Sequence, residues 1–178
     1  MNKYPQSYID YLVHFHGDRD YFECHEALEE FWKEHTEMDR NSIWVAWIQL
    51  AVALYHQRRG NFSGAKRMIE KAFKKFRHHE KQLPEFGMQP ALFLEQLQNL
   101  TASITAKTPY TSIQLPIDDF YLESTCREQC LKKGFTWGQI SDLSDRMITE
   151  RHRLRDRSDV ILLREKELRK RNNKPRTF

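Results

Sequence analysis

The chain has 178 residues, 39% of them hydrophobic, including four Trp, seven Tyr and eleven Phe, enough apolar surface for one ordinary core and too much for wholesale disorder. Six Gly and six Pro, separated by long stretches with neither, favour helices over a turn-dense all-β architecture. The net charge of +4 is unevenly spread: Arg146–Phe178 holds 12 of the 29 basic residues and 5 of the 25 acidic ones, a net +7, and Met1–Asp145 is net −3.

That asymmetry raises the expectation of an anionic partner for the C-terminal segment. Cys24, Cys126 and Cys130 are an odd number without a secretory leader, so reduced thiols in the cytoplasm are expected in place of a disulfide framework. The longest apolar run, Ile43 to Tyr55, falls short of the roughly twenty residues a membrane-crossing helix needs, so no membrane partner is expected.

In chain order, Pro5 opens a first helix carrying Tyr8, Ile9, Leu12, Val13 and Phe15 up to Gly17. Asp18 or Asp20 caps a second, in which Tyr21, Cys24, His25, Leu28, Phe31, Trp32 and His35 share one face. Asn41 or Ser42 starts a third, apolar from Ile43 to Tyr55 except at Gln49, which places it at the centre of the bundle. After a turn at Arg58–Asn61, a fourth helix carries Ala65, Met68, Ile69, Ala72, Phe73 and Phe76, ended by Pro84 and Gly87; Phe93, Leu97, Leu100 and Ile104 mark a fifth.

Thr108–Pro116 is bracketed by prolines and biased to extended backbone. The expected organisation is therefore an all-α bundle over residues 1–107, then a linker and helical appendage over 108–178 that packs on the bundle or on a partner. Within the appendage Asp118 caps a sixth helix ending at Gly134. A long charged helix then runs from Ser141 or Asp142 to about Arg171, with Met147, Leu154, Ile161 and Leu168 at heptad spacing. Its companion positions Glu150, Arg157 and Arg164 are charged, against a coiled-coil seam.

Chemistry concentrates at His25. Glu29 follows one turn later, Glu26 is adjacent, and Gln49 and His56 stand two turns apart on the third helix. Two imidazoles and one or two carboxylates are a plausible donor set for a divalent transition metal, with His25, Glu29 and His56 as ligands and Glu26 as general base. The spacing matches neither the His-Glu-x-x-His of zinc peptidases nor the Glu-x-x-His of di-iron bundles. The competing reading is a buried hydrogen-bond network in which His25, Glu29 and Gln49 satisfy one another and organise the bundle.

Trp32, Trp44 and Trp47 read as core, and Cys126 with Cys130 lacks the second ligand pair a zinc site needs. No nucleophile elbow, Walker loop or dinucleotide fingerprint is present in the sequence. The basic tail reads as a solvated charged helix, as a docking arm for a protein partner or self-association, or as a nucleic-acid contact; Arg151, Arg153, Arg155 and Arg157 alternate and so spread around a helix, which disfavours the last.

The stretch Phe15-His16-Gly17-Asp18-Arg19-Asp20-Tyr21-Phe22-Glu23-Cys24-His25-Glu26-Ala27-Leu28-Glu29-Glu30-Phe31-Trp32, then Ile48-Gln49-Leu50-Ala51 with Tyr55-His56, then Gly60-Asn61-Phe62-Ser63-Gly64-Ala65, resembles the bacterial and archaeal family catalogued as domain of unknown function 309. The resemblance covers about Asp18 to Phe76. It implies a small all-helical bundle whose recurring motif matches His25, Glu26, Glu29, Trp32, Gln49, His56, Asn61 and Gly64, and it brings no activity with it. Cys24 stands where a small residue such as alanine is expected. The leading expectation is a non-enzymatic helical binding protein; a metal-dependent enzyme, perhaps a hydrolase, and a nucleic-acid binder are the alternatives.

Overall fold

Proline opens the first helix, and the next five each start where a polar side chain satisfies a backbone amide that no helical carbonyl reaches. In the computed structural model, which describes residues 3–154, Asp20 accepts from the Glu23 amide at the start of α2 (Tyr21–His35), after α1 (Gln6–His16). Ser42 caps α3 (Ile43–Arg58), Asn61 caps α4 (Phe62–His78), and Gln89 caps α5 (Pro90–Thr105). Asp119, one residue beyond the expected Asp118, caps α6 (Phe120–Lys132). A 3-10 segment at Glu80–Phe86 follows α4 and contains Pro84; Gly87 ends it in the left-handed region at φ 70°.

The chain is all-α among the described residues, which hold no strand and a single isolated bridge between Met88 and Ile117. The third helix is central, as its unbroken apolar run requires: α2 packs on one side and α4 on the other, α1 lies against α2, and α5 against α4. Trp47 is fully buried, with ring contacts to Tyr8, Tyr11, Phe76 and Phe93 at centroid distances of 5.5, 5.7, 4.8 and 5.2 Å. Such pairs add about 0.5–1.5 kcal/mol each beyond area burial. Tyr11 donates to the Trp47 carbonyl at 3.0 Å and Tyr8 to the Phe86 carbonyl at 2.9 Å, so the buried phenols are satisfied.

The described residues after Thr108 close over α1. Leu115, Leu122, Cys126 and Cys130 join the same core, and α6 packs on α1. A Cβ at Gly87 would sit 2.7 Å from a Leu122 methyl, so the turn and the sixth helix meet only over a glycine. Two arginines fasten the rest. Arg19, fully buried and at φ 60°, donates to the carbonyls of Phe15, Ile113 and Gln139. Arg58 donates to the carbonyls of Arg19 and Ile148 and to Ser141 Oγ.

The long charged helix expected from Ser141 or Asp142 does not form in its described part. Two four-residue helices, α7 (Arg146–Thr149) and α8 (Arg151–Leu154), meet at Glu150. The ladder is interrupted because its groups find partners elsewhere: the Ile148 carbonyl accepts from Arg58, and the His152 amide donates to the Tyr55 hydroxyl. Ile148 is the buried residue of this stretch, while the heptad positions Met147 and Leu154 are exposed. The remainder of the expected helix, to Arg171, lies outside the described residues.

Candidate functional site

The second helix presents His25, Glu26 and Glu29 as one cluster. His25 Nδ1 lies 3.1 Å from Glu26 Oε1 and its Nε2 lies 3.4 Å from Glu29 Oε2, while Lys33 holds the other Glu29 oxygen at 2.9 Å. One ligand atom from each of the three lies within 4.8 Å of the others. The side chains are 27%, 33% and 33% exposed, so the group is half-buried where the sequence suggested a buried network.

His25 and Glu29 open on a groove of about 820 Å³ between α2, α3 and α4. Its apolar floor comes from Val45, Ile48 and Trp32; Gln49 lies within it, and Arg40, Lys71, Lys74, Lys75 and His78 supply its basic groups. The lysines arrive together because Lys71, Lys74, Lys75 and His78 are spaced i, i+3, i+4, i+7 on α4. The His79 imidazole donates to the Asn41 carbonyl at 2.7 Å and so ties the end of α4 to the loop that precedes α3.

Along α4 the one ion pair among the described residues joins Lys66 to Glu70; Lys71, Lys74, Lys75 and Arg40 form none. Lys75 instead donates to Gln49 Oε1 at 3.4 Å. Burial, then the charges of Lys71 and Lys74, draw the Lys75 ammonium below its ordinary range. These groups together form a concave, partly apolar surface with uncompensated positive charge.

The other expected site residues divide. Trp32 lines the groove and donates its indole N–H to the Asp39 carbonyl at 2.8 Å; of the three tryptophans expected in the core, Trp47 is fully buried and Trp44 packs partly buried against it. His56 does not join His25. Its Nδ1 accepts from the Asn61 amide at 3.1 Å, while Asn61 Oδ1 accepts from the Gly64 N–H at 3.0 Å. A Cβ on Gly64 would lie 2.8 Å from Asn61 Nδ2, so His56, Asn61 and Gly64 form one helix-start device at the α3–α4 turn.

Cys126 and Cys130 are buried, and burial pushes their thiols up to about 12 and about 11, which keeps them protonated and packed. The groove lysines and Arg40 went unmarked in the sequence reading. The signal for them was the basic stripe on α4 beside its apolar one.

A second, smaller hollow lies beside α6, lined by His16, Gln114, Glu123, Arg127 and Trp137 among others. His16 is 1% exposed and donates from Nδ1 to Gln114 Oε1 at 2.6 Å, and its ring stacks on Trp137 at 4.3 Å. Burial drives its pKa down to about 3.

The family model described as "Domain of unknown function (DUF309)" matches residues 8–68, a span that holds most of α1, all of α2 and α3, and the start of α4. The "Uncharacterized protein YpuF" of Bacillus subtilis (strain 168) is 49% identical over 168 residues, covering 94% of this chain and 97% of that protein. No solved structure matches the chain. The similarity thus runs through the groove and beyond it into the segment that closes over α1, and the chain belongs to the DUF309 family.

Proposed function

We propose that the chain is a helical binding protein whose groove between α2, α3 and α4 takes a small anionic molecule, phosphate being the group that fits. One observation supports this above the rest: Arg40, Lys71, Lys74 and Lys75 meet in one concavity without a carboxylate partner among the described residues, over an apolar floor. Uncompensated cations at a partly desolvated surface favour an anion there. The floor of Trp32, Val45 and Ile48 suits a ligand with a planar or apolar part beside its phosphate.

The test is calorimetric titration with a nucleoside monophosphate and with the matching unphosphorylated nucleoside, on the wild type and on the Lys71→Ala/Lys74→Ala double variant. A unit charge at 4 Å in water contributes about 1 kcal/mol, so losing two weakens binding by about 2 kcal/mol, roughly thirtyfold. The wild type should bind the phosphorylated compound alone, and less tightly as salt rises. Equal binding by the double variant would remove the groove from the reading.

In this reading the division falls between a bundle of residues 1–107 and an appendage of 108–178, whose described part, residues 108–154, docks through the core contacts of Leu115 and Leu122 and the anchors at Arg19 and Arg58. A cytoplasmic location is supported by three free, buried cysteines. No helix among the described residues is long and apolar enough to cross a membrane. A protein partner or a second copy of the chain finds its support in the exposed apolar side chains Phe120, Tyr121, Leu131 and Ile140.

A further inference from the structure

Lys75 differs from the other cations of the groove. Arg40, Lys71 and Lys74 are exposed, whereas Lys75 is half-buried where α4 meets α3. An ammonium has three donors; that of Lys75 makes one long hydrogen bond, 3.4 Å to Gln49 Oε1, and no ion pair among the described residues. Glu29, the carboxylate that lines the groove, is held by Lys33 at 2.9 Å. Lys71 stands one turn before Lys75 and Lys74 beside it, so like charges crowd the amine. Burial first, and those two charges second, hold its ammonium below the ordinary range and favour the neutral amine.

A neutral amine carries a lone pair, and a lysine desolvated beside other cations is placed to attack a carbonyl carbon. The surroundings select the carbonyl compound. Lys71, Lys74 and Arg40 offer charge to a phosphate, and Val45, Ile48 and Trp32 offer apolar surface to a carbon skeleton. The groove volume of about 820 Å³ holds a small molecule that reaches both. A compound with a phosphate at one end and an aldehyde at the other meets its anchor and a nucleophile in the same concavity.

We propose that Lys75 forms an imine with a phosphorylated aldehyde bound in the groove between α2, α3 and α4. The Lys75 nitrogen adds to the carbonyl carbon, a C=N bond replaces the C=O bond, and the oxygen leaves as water with both hydrogens of the neutral amine. Nothing is oxidised or reduced. The proposal rests on the anion reading for its phosphate anchor and adds to it a covalent bond at one residue.

The experiment mixes the full untagged chain with pyridoxal phosphate as the probe aldehyde, or with pyridoxal as its unphosphorylated counterpart. Borohydride then reduces the imine, and peptide mass spectrometry locates the label; calorimetry with inorganic phosphate runs in parallel. The wild type should take up one equivalent of the phosphorylated probe, on Lys75, and excess inorganic phosphate should suppress the label. Pyridoxal should bind about thirtyfold more weakly, the loss that goes with two lysine contacts. Lys75→Arg keeps a cation but has no primary amine, and once shown to be folded by circular dichroism it should carry no label. Label scattered over several lysines, equal labelling of Lys75 by pyridoxal, or full label on folded Lys75→Arg would overturn the proposal. If the wild type binds inorganic phosphate yet takes no label, the imine alone is refuted; if it binds no phosphate, the anion reading falls and the imine with it.

Discussion

Acid should destabilise this protein through one residue that has no part in the groove. His16 is buried at the end of α1, donates to Gln114, and has no partner for Nε2 among the described residues. Burial lowers its pKa to about 3, with the charges of Arg19 and Arg127 pushing the same way and the Gln114 bond opposing them. In the unfolded chain the imidazole titrates near 6.5. Between those values the unfolded state binds a proton that the native state refuses, so stability is complete above pH 6.5 and is lost as pH falls towards 3. From pH 7 to pH 5 the loss from this group is on the order of 2 kcal/mol, at about 1.4 kcal/mol per pH unit once below 6.5. His16→Asn keeps an amide donor close to the position of Nδ1 and removes the titration. Urea unfolding of both proteins at pH 7 and pH 5, at matched ionic strength, should show the wild type losing about 2 kcal/mol more than the variant. Parallel losses would refute the assignment of a neutral, buried His16.

Two further outcomes follow from particular contacts. Arg58→Met removes the donors to the Arg19 and Ile148 carbonyls; with charged hydrogen bonds worth about 1.5–3 kcal/mol each, stability should fall by about 3 kcal/mol or more, and amide exchange at Glu150 and His152 should accelerate. Unchanged protection there would show that Arg58 does not hold α7 and α8. Gly64→Ala drives a Cβ to 2.8 Å from Asn61 Nδ2 and should cost about 1–2 kcal/mol as the α4 cap is lost, read as a lower melting temperature, with phosphate binding retained once the protein is folded.

The fold was legible because its signals are local. Helical spacing marks α1 to α6, with the end of α4 the exception: it stops at His78, and a 3-10 segment carries the chain on to the expected Pro84 and Gly87. The alternatives at the start of α2 were settled by a neighbour, since Asp18 is taken by His14 at 3.0 Å, which leaves Asp20 as the cap. The His25, Glu26 and Glu29 cluster was legible for the same reason, since i, i+1 and i+4 are close on any helix. What failed to show were meetings between elements. Lys71, Lys74 and Lys75 read alone as a solvated face, and only the position of α4 beside α2 and α3 turns them into one wall of a groove. His56 lay two turns from Gln49 along α3, and its partner Asn61 comes from the following turn. The interrupted C-terminal helix depends on Arg58 and Tyr55 from α3, which no periodicity within residues 141–154 contains.

Whether a phosphate-bearing ligand enters the groove of α2, α3 and α4 is read by amide-resolved NMR during a titration with inorganic phosphate. Saturable shifts should gather on Arg40, Asn41, Lys71, Lys74 and Lys75 and on His25 and Gln49 across the groove, and should vanish in the Lys71→Ala/Lys74→Ala variant. Saturable shifts gathered elsewhere, or none at millimolar phosphate in low salt, would contradict it.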